Sequence, residues 1–174
     1  KFDLITKQLQ VVISDLRFAN GVALSRDESF LVINECSERR IRRYYLKGRK
    51  AGTNDVFVQD IGGYNDNIKA DGQGNFYVGL FGETNDEVSD VQNSEKLQNI
   101  FLAYVPPTVA LGMVPPIGLV KKIDERGRVN QVYIDRTASF VSYVSEAEVH
   151  DGYMYFGSVI NPFLTRINLA TDLE

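Results

Sequence analysis

The sequence predicts an all-β fold of the propeller type, and three observations predict it. Short apolar runs are separated by turn-forming clusters along the whole chain, the runs recur as a unit, and no 3.6-residue apolar period persists long enough for a core helix. The runs are Phe30 to Ile33, Ile41 to Leu46, Val56 to Val58, Phe76 to Val78, Val129 to Ile134 and Tyr153 to Val159. Between them lie the turn formers Arg26-Asp27-Glu28, Asp71-Gly72-Gln73-Gly74, Glu125-Arg126-Gly127 and His150-Asp151-Gly152.

The repeat unit is visible three times. One copy reads NGVALSRDESFLVINECSERRIRRYYL. A second reads DNIKADGQGNFYVGLFG and resumes, after an insertion, at QNIFLAYV. A third reads SEAEVHDGYMYFGSVINPFLTRINL. Each supplies a strand, a tight turn, an apolar strand and a third strand, with DVFVQDI and RVNQVYI falling between units as fourth strands. Four short strands per repeat of about 40 to 50 residues make a propeller blade. Residues 1–174 therefore form one partial propeller of about three to four blades. Radial closure is what removes exposed sheet edges, so further residues, or another chain, are expected to complete the ring.

The repeat is interrupted at about 84–120. NDEVSDVQNSEKLQ reads as a polar loop, and Leu97 to Val105 fits helix and strand equally. VPPTVALGMVPPIGLV carries Pro106-Pro107 and Pro115-Pro116, which forbid a regular central strand or an unbroken helix. The segment is expected to pack as a loop on the propeller face. Its apolar character also fits a lid over the channel or a rim that touches a membrane.

Composition narrows the function classes. With 44% hydrophobic and 24% charged residues the chain is an ordinary folded domain, and a net charge of -4 argues against nucleic acid as partner. The one basic cluster, Arg39 to Arg43, reads as the solvated face and end of a hairpin. No apolar run of about 18 residues is present. The opening without Met looks like an internal start. The single cysteine, Cys36, reads as a small hydrophobe near a strand end, and the single histidine, His150, as part of a hairpin turn. No GxSxG elbow, phosphate-binding glycine loop or paired-cysteine zinc motif occurs.

Chemistry is expected where each repeat begins, because the innermost strand of a blade faces the channel. Asn20 opens the first unit, Asp66-Asn67 the second and Ser145-Glu146 the third. Oxygen-bearing side chains at one place in successive blades would converge on the axis and suit a hard cation such as calcium, which takes six to eight oxygens. Phe18, Tyr64, Phe81, Tyr143 and Phe163 lie near the ends of inner elements. Most are expected in packing between blades, and those at the channel mouth favour an aromatic or acyl substrate.

FANGVALS, FLVINE, RIRRYYLKGRKAGTNDVFVQDIGGYNDNIKADGQGNFYVG and EVHDGYMYFGSVINPFLTRINL, in this order, resemble the strictosidine synthase-like family. The resemblance covers Phe18 to Leu169 apart from the insertion. It implies a six-bladed β-propeller, and a protein of the secretory pathway or a membrane. The related gluconolactonase and paraoxonase propellers share the Asn-Gly and Asp-Asn signatures. That kinship implies calcium held by Asn20, Asp66 and Asn67, with further ligands outside this chain. It also implies hydrolysis of a small ester or lactone, Asp66 being the catalytic carboxylate. Phe81, Tyr143 and Ser145 are then expected in the substrate pocket. In true strictosidine synthases a glutamate acts as acid and base, and Ser145 stands at its place here. A hydroxyl cannot shuttle that proton near neutral pH, and Glu146 would need a change of strand register to replace it. Amine-aldehyde condensation is therefore disfavoured. A non-catalytic propeller that uses calcium to tie its blades is the alternative to the hydrolase.

Overall fold

Turn chemistry sets the hairpins before packing does. Asp27, Asp71 and Asp124 occupy equivalent turns, and each folds its carboxylate back onto amides that follow. Asp71 Oδ1 accepts from Gln73 N at 2.7 Å and Asn75 N at 3.0 Å, and Asp124 Oδ1 accepts from Arg126 N at 2.8 Å and Arg128 N at 3.0 Å. These local bonds reverse the chain where the β-rich runs end.

The structure, a computed structural model, describes residues 1–84, 94, 103–104, 106 and 113–171. Within them the strands are β1 (Ala19–Leu24), β2 (Phe30–Glu35), β3 (Arg40–Tyr45), β4 (Asn54–Val58), β5 (Gly63–Ala70), β6 (Asn75–Glu83), β7 (Gly118–Asp124), β8 (Val129–Asp135), β9 (Val144–His150), β10 (Tyr153–Ser158) and β11 (Thr165–Asn168). They form three antiparallel sheets in simple meander order, β1 to β4, β5 to β8 and β9 to β11. One 3₁₀ turn, Cys36–Glu38, joins β2 to β3. None of the described helical residues makes a helix long and apolar enough to cross a membrane.

The sheets stack face to face, and strand alternation explains how. On β6, Phe76, Val78 and Leu80 face the first sheet and join its Phe30, Val32 and Ile41, together with Ile61 and with Ile68 of β5. Tyr77, one residue out of phase, joins Val120, Tyr133, Val144, Met154 and Phe156 against the third sheet. β6 is thus buried on both faces, which is why it reads as a nearly continuous apolar run. The innermost strands β1, β5 and β9 lie side by side. This is a segment of a β-propeller, with two four-stranded blades and three strands of a third.

Two expectations are corrected. The third strand of the middle blade is GLVKKID, β7, and not QNIFLAYV, most of which lies outside the described residues. In β7, Leu119 and Ile123 enter one core and Val120 the other, a two-sided burial the sequence pattern did not reveal. The basic cluster is not a solvated face. Arg40 binds Glu35, and Arg43 binds Asp55 while lying over the rings of Phe30, Tyr45 and Phe57. Their carbon stems cover blade core and their heads are neutralised, as half-buried arginines require.

Candidate functional site

Each inner strand carries one extra residue at the same level. On β1, Ala19 pairs with Glu35 and Val22 with Ile33, so Asn20 and Gly21 together oppose Asn34. On β5, Asn65 pairs with Leu80 and Ile68 with Val78, so Asp66 and Asn67 oppose Gly79. On β9, Glu146 pairs with Gly157 and Val144 with Ser158, leaving Ser145 as the extra residue. A bulge bends its strand and re-aims its side chains, and three bulges in register gather the starts of the three repeats.

Close backbone approach locks the bulges together. A Cβ added at Gly21 would stand 2.5 Å from Ile68 N and 2.6 Å from Asn67 Cα, and one at Gly79 would stand 2.9 Å from the carbonyl carbon and oxygen of Ser145. Only glycine lets neighbouring inner strands touch at these points.

Asn20 and Asp66 meet directly, Asn20 Nδ2 donating to Asp66 Oδ1 at 2.5 Å. They lie in a cavity of about 370 Å³ whose other lining residues are Phe18, Cys36, Tyr64, Phe81, Val114 and Val159. The lining is apolar apart from these two groups and the thiol and phenol. Asp66 is half-buried, and its pKa is raised chiefly by burial, against the bond from Asn20, with the charge of Glu146 adding to the rise. Cys36 is pushed up to about 11, by burial first and then by the negative charge of Asp66.

Of the remaining residues predicted for the site, the cavity takes in one directly. Phe81 lines it. Tyr143 stands behind Phe81, their ring centroids 5.0 Å apart, and donates its hydroxyl to Val114 O at 2.9 Å. That bond holds the end of the insertion at the cavity wall. Asn67 is half-buried beside Asp66 on the same bulge, and neither it nor Ser145 belongs to the lining. Ser145 instead turns toward Gly157 of its own sheet. Glu146 follows the bulge at Ser145 and does not belong to the cavity lining either. Glu146 bears on Asp66 electrostatically and pairs with Lys69 at 3.4 Å. His150 ends β9 at the turn and is exposed, far down the strand from the bulge.

The oxygen-bearing groups that meet in the cavity are the carboxylate of Asp66 and the amide of Asn20, with the charge of Glu146 bearing on them and Asn67 beside Asp66 on the bulge but outside the lining. That set fits a hard cation in kind, and it supplies part of the six to eight oxygens calcium takes. The charge of Glu146, which raises the proton affinity of Asp66, is also what a cation would relieve. Among the described residues no three His, Cys, Asp or Glu side chains gather as a self-sufficient metal site.

The β2 end was not singled out by sequence reasoning, yet it supports the cavity. Glu35 is fully buried and accepts from Arg17 N at 2.7 Å and from Arg40 Nε at 2.7 Å and Nη2 at 3.0 Å. Cys36 N donates to Phe18 O at 3.1 Å, so the strand end holds the approach to Asn20. A polar Asn-Glu pair closing an otherwise apolar strand was the available signal.

Comparison with known proteins agrees with this architecture. Residues 1–49 match the family model described as strictosidine synthase. Adipocyte plasma membrane-associated protein of Gallus gallus is 35% identical over 173 residues, which cover 97% of this chain and 42% of that protein. Strictosidine synthase-like protein 10 of Arabidopsis thaliana is 34% identical over 178 residues, 94% of this chain and 45% of the relative. Among solved structures, a gluconolactonase from Xanthomonas campestris superposes with TM-score 0.55 at 14% identity, covering 88% of this chain and 38% of the other. The calcium-binding protein regucalcin from Agrobacterium tumefaciens gives TM-score 0.53 at 14% identity, covering 90% and 44%. At such identities the two structures establish the fold alone. The chain spans less than half the length of these relatives, and it is a strictosidine synthase-like sequence that forms part of a β-propeller.

Proposed function

We propose that the complete protein is a calcium-dependent hydrolase of small aryl esters or lactones, with its reaction centre at the channel end of these blades. The observation that carries this reading is the meeting of Asn20 and Asp66 on two bulges at the floor of an apolar cavity, with the carboxylate of Glu146 opposing Asp66. Fold kinship with a gluconolactonase and with calcium-binding regucalcin supports it.

In this reading Asp66, Asn20, Asn67 and Glu146 are this chain's share of the calcium ligands, further ligands coming from the rest of the propeller. Calcium, when bound, supplies Lewis-acid polarisation of the scissile carbonyl. Asp66 orients water and accepts its proton at the free carboxylate oxygen. Phe18, Tyr64, Phe81 and Val114 exclude bulk water and hold the acyl or aryl part of the substrate. Tyr143 keeps Phe81 and Val114 in place from behind. Most of the apolar insertion lies outside the described residues; its Val114 lines this wall, and in this reading the segment closes over the substrate or rests on a membrane surface.

The test is phenyl-ester hydrolysis by the complete protein, with calcium and then with excess chelator, repeated with Asp66→Ala. Turnover lost in the chelator and in the variant is expected. A melting temperature that falls in chelator, with no ester or lactone turned over under either condition, would establish the non-catalytic, calcium-tied propeller instead.

A further inference from the structure

We infer that Asn34 is a positioning residue for Asp66, acting through the main chain of the bulge; the metal-binding arm of the test rests on the reading of Asp66 as a calcium ligand. Asn34 sits on β2 opposite the bulge formed by Asn20 and Gly21, and it is fully buried. Its Nδ2 leaves its own blade and donates to Asp66 O at 2.7 Å. The carbonyl it holds belongs to the residue whose side chain meets Asn20, so one donor fixes the backbone from which the site carboxylate projects.

The repeat shows that this amide is not there for packing. The equivalent position in the middle blade, opposite the bulge of Asp66 and Asn67, is Gly79, which meets the next bulge by bare backbone contact. A glycine therefore suffices to seat one inner strand on the next. At Asn34 the chain instead buries an amide whose Oδ1 has no hydrogen-bond partner among the described residues. Such an unmet buried carbonyl costs about 1–3 kcal/mol. What distinguishes this amide is where its one bond goes, to the main-chain carbonyl of Asp66.

A matched control lies in the same blade interface. Asn65, also fully buried with an unpaired Oδ1, sends its Nδ2 the opposite way, to Arg40 O at 3.0 Å. The two asparagines thus clamp the first two blades reciprocally, and only Asn34 grips Asp66. Replacing either by leucine removes one donor and one orphaned oxygen at nearly constant volume.

The experiment compares Asn34→Leu with Asn65→Leu in the complete protein, with Asn34→Ala and Asn65→Ala as a second pair should a leucine not fold. Two quantities are read: the titration of the Asp66 carboxyl by carbon-13 NMR in metal-free protein, and the affinity for calcium alone by calorimetry. Loss of Asn34 is expected to displace the Asp66 midpoint and to weaken calcium binding about 10- to 100-fold, as lost support of a metal ligand typically does. Loss of Asn65 is expected to lower the melting temperature comparably while leaving both readings near wild type. Equal effects of the two substitutions on Asp66 would overturn the inference. Were the wild type to bind no calcium, the metal reading would fall, and the NMR titration would still decide the role of Asn34.

Discussion

Replacing Gly21 by alanine tests whether direct contact between inner strands builds the site. The new Cβ would lie 2.5 Å from Ile68 N, 2.6 Å from Asn67 Cα and 2.8 Å from Asn67 C, roughly 1 Å short of ordinary contact. All three atoms are main chain of β5, so no side-chain rotation relieves the clash. The first two blades must part, and a radial gap of about 1 Å forfeits up to half of the dispersion energy across it. Overpacking of this kind costs about 3 kcal/mol, the upper part of its usual range. A complete propeller of its relatives' length is more than twice this chain, so the shift is about half the 2–4 °C per kcal/mol of a domain of about 150–250 residues, and the melting temperature should fall by about 3–6 °C. The contact between Asn20 and Asp66 spans the same seam, so calcium affinity should fall with it. Gly48→Ala is the control: its φ of +80° strains an alanine, but open space surrounds it, and about 1 kcal/mol is expected. Thermal unfolding by circular dichroism gives the result, and a Gly21→Ala protein melting within 2 °C of wild type would refute the reasoning.

Other predictions follow from the charges around the cavity. Because the folded pKa of Asp66 is raised, its protonated form is favoured by folding; that stability is present below about pH 4, the ordinary aspartate value, and is lost as pH rises through the folded value. Asp66→Asn should therefore raise the melting temperature of metal-free protein at neutral pH, with the gain vanishing in acid. Glu35 behaves oppositely: burial raises its pKa, but bonds from Arg40 and Arg17 N and the charges of Arg40 and Arg42 outweigh burial and lower it. Its contribution is present above about pH 4.3 and lost as pH falls through the lowered value, and Glu35→Gln should cost about 3 kcal/mol in denaturant unfolding, since Arg40 is left without its buried partner. Cys36, with a thiol pushed up to about 11, should alkylate in native protein at pH 8 roughly a hundredfold more slowly than an ordinary thiol, and at the ordinary rate once unfolded.

The strands were legible because turn residues and alternation act locally. Asp27, Asp71 and Asp124 announce their hairpins through bonds to amides a few residues on, and a reader of the chain needs no tertiary knowledge to place them. The insertion hid β7, since its first residues close a proline-flanked apolar run and the adjacent Lys121 and Lys122 break the alternation. Arg40 and Arg43 read as solvated because their partners, Glu35 and Asp55, lie on neighbouring strands and were not anticipated. The repeat starts marked Asn20, Asp66 and Ser145, and the repeat by itself could not say which of their neighbours share a face.

The amino-acid sequence by itself determined that the chain is β-rich and repetitive and that its repeats open on polar residues. Only the tertiary structure decided which side chains meet. Side-chain direction in a strand depends on register, and a single extra residue reverses it. The bulges at Asn20 and Gly21, at Asp66 and Asn67, and at Ser145 are such residues. They join Asn20 to Asp66, bring the charge of Glu146 to bear on that carboxylate, and seat Asn34 behind it, across distances in sequence that no local pattern spans.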